Sequence, residues 1–175
     1  MISKKSLLSA ALSAMLVATL CGCFLTLEST TPLLTGATAD FPFRSMIVEF
    51  PEGQVPVVRE GDTYVINDPN KGRLDLLLKK VGDDTYIVQA TGKGQRRAWP
   101  NISYGFIKQQ QSDLHGLWCG SWSVATLQSV GIVVLKDNLF PLCDFNRLDQ
   151  LVSLIAKRPD GKWPEVKLRI VSIEK

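Results

Sequence analysis

The one histidine of this chain, His115, stands four residues ahead of Cys119 in "SDLHGLWCGSWS", and an imidazole beside a thiol is the pairing that a nucleophilic hydrolase uses. A base must lie within hydrogen-bond reach of its nucleophile, whereas four residues along a strand span about 13 Å. His115 and Cys119 therefore share a face without touching, unless Gly116 breaks the strand. Metal chemistry has less support: one histidine with Cys119 and a distant Cys143 matches no zinc-ligand spacing, so no metal site is expected. A third group is Lys93, Arg96, Arg97 and Trp99 in "TGKGQRRAWPN", which places positive charge beside an aromatic ring. Such a loop offers a surface to phosphate or lipid headgroups, at about 1 kcal/mol per basic residue near an anionic membrane. The plainer alternative is a solvated turn.

Other signatures of catalysis are weak. The letters Cys119-Gly120-Ser121-Trp122 resemble the surroundings of papain-like nucleophiles, but that family places its histidine well after the cysteine and none follows Cys119 here, which excludes it. "TGKGQRR" holds only Gly-x-Gly and falls between two strand-like segments, not between a strand and a helix, so no cofactor is implied. Carboxylates are scattered through the loops. With no catalytic constellation evident, a binding or structural role is the function expected, and a hydrolase built on Cys119 or on those carboxylates stands as the alternative.

Localisation is written more clearly than chemistry. Lys4 and Lys5 precede an apolar stretch from Leu7 to Leu20, followed by small residues, the three-part layout of a secretory signal. The tetrapeptide Leu20-Cys21-Gly22-Cys23 resembles the bacterial lipobox, with a branched apolar residue three places before an obligatory cysteine and a small residue just before it. The resemblance identifies a bacterial lipoprotein and implies a diacylglycerol on the Cys23 sulfur, cleavage before Cys23 and an anchor in membrane lipid facing the periplasm or exterior. Phe24 rather than Asp follows, which in enterobacterial-type sorting points to the outer membrane. Cys21 departs from the Ala, Ser or Thr that is commoner at its position. An uncleaved single-pass helix is the rival, because no charge appears from Ser6 to Leu27 and that length, at about 1.5 Å per residue, crosses a core of roughly 30 Å. Ala37-Thr38-Ala39 has the look of an ordinary cleavage site but lies too far past the apolar run.

On this basis the chain divides into a signal peptide over 1–22, a lipidated tether over 23–42 and one domain over 43–175. Random-chain scaling gives the tether a reach on the order of 25 Å. The formal charge of +3 includes Lys4 and Lys5, so loss of the signal leaves +1, which argues against a nucleic-acid partner. An envelope protein or headgroups are the partners that fit. Outside the cytoplasm Cys119 and Cys143 have a simple use as a disulfide. It is worth about 3 kcal/mol in the chain-entropy model, with two buried thiols as the alternative.

The elements that must position these groups are mainly strands. "SMIVEF", "VPVVRE", "DTYVIND", "RLDLLLKKV", "DTYIVQATG" and "ISYGFIKQQQ" are separated by Pro, Gly, Asn and Asp clusters, which predicts an antiparallel meander of hairpins. Asp62-Thr63-Tyr64 recurs as Asp84-Thr85-Tyr86 and more loosely at Tyr104, so all three tyrosines take equivalent places; they form either a ligand platform or ordinary strand packing. Leu148, Leu151, Val152 and Ile155 follow a helical spacing, capped by Asn146 with Asp149. The fold class expected is α+β, with this amphipathic helix packed on the sheet and "EVKLRIVSI" as a final strand.

Overall fold

The computed structural model describes residues 27–29, 31–35, 41–50, 53–68, 72–93, 102–136, 141–157, 159–160 and 166–174. Among them the strands in chain order are β1 (Leu27–Glu28), β2 (Ser45–Phe50), β3 (Gly53–Glu60), β4 (Thr63–Asp68), β5 (Gly72–Gly82), β6 (Thr85–Lys93), β7 (Ser103–Gln110), β8 (Asp113–Leu117), β9 (Val133–Lys136), β10 (Pro141–Asp144) and β11 (Val166–Glu174). A 3₁₀ turn at Cys119–Ser121 and two short helices, α1 (Val124–Ser129) and α2 (Leu148–Ile155), lie between β8 and β11.

The expected α+β class is overturned. The chain is mostly β and eight of its strands close an antiparallel barrel. From β2 to β8 each strand pairs antiparallel with the next, and β11 fits between β8 and β2 to complete the ring. The last strand is present where expected, but it closes a ring instead of edging an open sheet. The reason is physical: an open sheet of this size would leave β2 and β8 with unpaired edges, and one more strand between them removes both. The helix at 148–155 is also present. It is only eight residues long, it lies in a side layer, and Val152 of its expected apolar stripe is exposed. Its start is held by Gln150, whose Oε1 accepts from the amides of Asn146 and Arg147 at 3.1 Å each, and not by Asn146 and Asp149.

Side-chain alternation explains how one wall serves two cores. In β5, Leu74, Leu76 and Leu78 point into the barrel, while Leu77 and Val81 point out to the second core. In β6 and β7 the cross-strand pairs Tyr86–Ile107 and Val88–Gly105 face inward, and Ile87–Phe106 and Gln89–Tyr104 face outward. These strands are apolar on both faces and carry few of the charges that mark a solvent-facing strand.

The second core lies on that outer wall. Tyr104, Phe106 and Ile87 meet Trp122, Leu127, Ile132, Phe145, Leu151 and Leu154, all of them buried. Cys119 and Cys143 are joined by a disulfide, with Cα atoms 6.0 Å apart, tying the 3₁₀ turn to β10. Trp122 Nε1 donates to the Lys157 carbonyl at 3.1 Å, and Ser123 caps α1 by accepting from the Thr126 amide at 3.2 Å. After α1 the chain reverses at Gly131 (φ 78°), a left-handed C-terminal stop; an added Cβ there would meet Gln150 Nε2 at 3.1 Å, so glycine serves both backbone and space.

Part of the stretch assigned to a tether is packed onto the body. β1 inserts between β7 and β10, with Leu27 opposite Tyr104 and Cys143. The amides of Leu33 and Leu34 donate to Gln89 Oε1 at 3.1 and 2.8 Å, and Tyr104 Oη donates to the same oxygen at 2.7 Å. Leu34 is buried among the second-core residues.

Candidate functional site

The barrel has unlike ends. The tight turns Gly61-Asp62, Asp83-Asp84 and Gln111-Ser112 gather at one end, together with the start of β2 and the close of β11. The chain before β2 seals that end: Phe41, wholly buried, meets Tyr64 edge-on at 5.8 Å, Tyr86 at 4.9 Å and Phe43 at 5.0 Å between ring centres. Tyr64 Oη donates to the carbonyls of Phe41 and Phe43, at 2.5 and 2.7 Å, sharing one proton between two acceptors. Burial pushes the Tyr64 hydroxyl above the usual tyrosine range, against the opposing pull of Arg59 beside its ring. The hydroxyl stays protonated at neutral pH and remains a donor.

Above this floor lies a cavity of about 110 Å³. All eight barrel strands line it, with residues that include Met46 and Val48 of β2, Val57 of β3, Ile66 of β4, Leu114 of β8 and Leu168 of β11. Apart from the Tyr64 hydroxyl, committed to the plug, its side chains are apolar. Exposure is uneven around the lining: Tyr64, Leu78 and Val88 are buried, whereas Ile66, Leu74 and Leu76 are half-buried, so solvent meets the cavity on the β4–β5 side, towards the end away from the plug. One wall is small where Gly105 of β7 brings no side chain to the lining, beside Val88 of β6 and two strands from the leucines of β5. An eight-stranded barrel is just wide enough to be filled by side chains or to hold one small ligand, and here the side chains leave part of the interior unfilled.

The residues singled out from sequence are dispersed. Cys119 is buried and bonded to Cys143, so it carries no thiol for His115 to activate. His115 sits on the outer face of β8, opposite Lys108 and Lys167. Tyr64 and Tyr86 belong to the plug, but Tyr104 lies on the other side of the wall, so the three do not form a platform. Lys93 ends β6 paired with Arg73, while its side chain and the residues Arg96, Arg97 and Trp99 lie outside the described residues, as does Cys23. The outer wall bears ion pairs, Asp113 with Lys167 at 2.7 Å and Arg73 with Asp75 at 2.5 Å. The apolar interior contrasts with the polar interior of a barrel that spans a bilayer.

The cavity escaped the sequence because its lining is contributed one or two residues at a time by strands far apart in the chain. The available signal was the contrast between Leu74-x-Leu76-x-Leu78 and the run of Ala and Gly at the inward positions of later strands. No family model, curated protein or solved structure matches this chain.

Proposed function

We propose that this protein is a lipid-anchored binding protein of a bacterial cell envelope that holds an apolar ligand inside its barrel. The observation that carries the binding role is the cavity itself, lined almost wholly by apolar side chains from all eight strands, plugged at one end and wetted at the other. The anchor rests on Lys4, Lys5, the apolar run and Leu20-Cys21-Gly22-Cys23. A disulfide fits an oxidising compartment. Phe24 favours the outer membrane as destination, and Lys93, Arg96, Arg97 and Trp99 would add contact with anionic headgroups or an envelope partner.

The packed N-terminal segment changes the geometry of such an anchor. Leu27 already belongs to the sheet, four residues after Cys23, and four extended residues reach at most about 14 Å. The body would sit against its membrane instead of swinging on a long leash. Growth with labelled fatty acid tests the anchor: Cys23→Ser loses the label and Cys21→Ser keeps it, and equal labelling of wild type and Cys23→Ser would refute it. A cysteine hydrolase has lost its nucleophile to the disulfide.

A further inference from the structure

We infer that the cavity takes the end of one unbranched alkyl chain from a single-chain amphiphile, inserted tail first, with its head group left outside the barrel. This rests on the cavity being a ligand site. Four observations narrow the ligand to that class. At about 110 Å³ the space is smaller than the roughly 150 Å³ cavity that takes a benzene ring, so a fused ring system or a pair of chains does not fit. No lining side chain offers a free donor or charge, since Tyr64 is spent on the carbonyls of Phe41 and Phe43; a polar head drawn inside would lose its water with nothing in exchange.

Direction and shape follow from the ends and the walls. The plug of Phe41, Tyr64 and Tyr86 blocks passage, so the group that arrives first must be the apolar terminus. The lining is mostly aliphatic, from Met46 and Val48 to Leu114 and Leu168, which suits a flexible alkyl chain. An anchor four residues from β1 would hold the barrel beside a leaflet that contains such amphiphiles, raising their effective concentration at the mouth.

The experiment uses the full chain reconstituted in phospholipid vesicles and two alkyl phosphocholines of one length, each bearing a diazirine, at the tail tip or beside the head. The tail-tip probe should cross-link to Val57, Tyr64 and Leu78, and the head-side probe to Ile66 and Leu74. Exchanging the phosphocholine for a sulfate or trimethylammonium head should alter labelling less than twofold, and each methylene removed from a competing chain should weaken it about fourfold. The reverse cross-linking pattern, strong dependence on the head, or equal uptake of a fused-ring photoprobe would overturn the chain assignment while leaving a ligand site in place. Leu74→Trp near the mouth and Gly105→Val on the small wall should each cut interior labelling at least tenfold, with folding checked by circular dichroism and by the intact disulfide. Labels confined to the outer wall, or interior labelling untouched by both substitutions, would remove the ligand site itself.

Discussion

The wall made by β5, β6 and β7 separates two cores that solve opposite problems. Outside it, Leu127, Leu151 and Leu154 are at most 1% exposed, a disulfide crosses the layer, and Gln89 and Gln150 satisfy the backbone groups that the packing buries. Inside it, packing is complete only at the aromatic plug and then gives way to the cavity. The side layer spends its sequence on fixing that wall from behind, which lets the barrel leave space in front. A void costs stability, and it persists only where the surrounding structure cannot collapse into it. The braced wall supplies that resistance.

Truncation should separate the two cores most sharply. Leu151→Ala, in the dense layer, is expected to cost about 2–5 kcal/mol, whereas Leu74→Ala, at the half-buried cavity wall, should cost about 1 kcal/mol, both measured by urea unfolding. Equal costs would mean that the cavity wall is as tightly packed as the side layer. Replacing Cys119 and Cys143 together by serine should lower stability by about 3 kcal/mol. Most of the loss should appear as amide exchange at β9, β10 and α2, with β2–β4 little changed.

Tyr64→Phe strikes the plug alone and leaves the carbonyls of Phe41 and Phe43 without their donor, an expected loss of about 1–3 kcal/mol. Its pH signature has a defined sign. The folded-state pKa of Tyr64 is raised by burial, so its contribution is constant below the ordinary tyrosine value of about 10 and is lost as pH rises through the higher folded value. Tyr104, raised for the same reason, shares this alkaline limb, so Tyr64→Phe should shrink the limb and not abolish it. The smallest effect belongs to Asp160, whose carboxylate accepts from the Ser123 amide at 2.7 Å and from the hydroxyls of Ser123 and Thr126 at 2.9 Å. Those bonds hold its pKa below the usual carboxylate range, so its support of α1 is present above that range and disappears as pH falls through the depressed value. Asp160→Asn should flatten the acid limb slightly, read as amide exchange at Ser123 and Thr126.

Local pattern carried the strands and long-range pairing carried the rest. The segments from Ser45 to Gln110 alternate clearly, and six of the eight barrel strands fall where that alternation places them. Closure was illegible because β8, "DLHGL", is short and broken by glycine, and because β11 pairs with a strand far upstream. The tyrosine repeat was real in one respect: Tyr64 and Tyr86 each follow a tight turn at the plug end and point inward. Tyr104 starts from the opposite end with the other parity, which sends it outward into the side layer. Cysteine pairing was inferred from compartment, since sequence distance alone says nothing of whether two thiols meet. The cavity left only the faint contrast between the leucines of β5 and the small inward residues of later strands, because each lining residue is ordinary in its own strand.

Closing the ring with the last strand also sets a timetable. Ser45 Oγ donates to Glu174 Oε2 across a sequence separation of 129 residues, and the ladder between β2 and β11 has comparable reach. Contacts of that order form slowly, since the intervening loop must be closed before any of them is gained. A chain that leaves the ribosome N-terminus first therefore has no ring to close until β11 has emerged. For a chain threaded through a membrane channel while extended, that delay keeps it threadable and postpones folding to the far side.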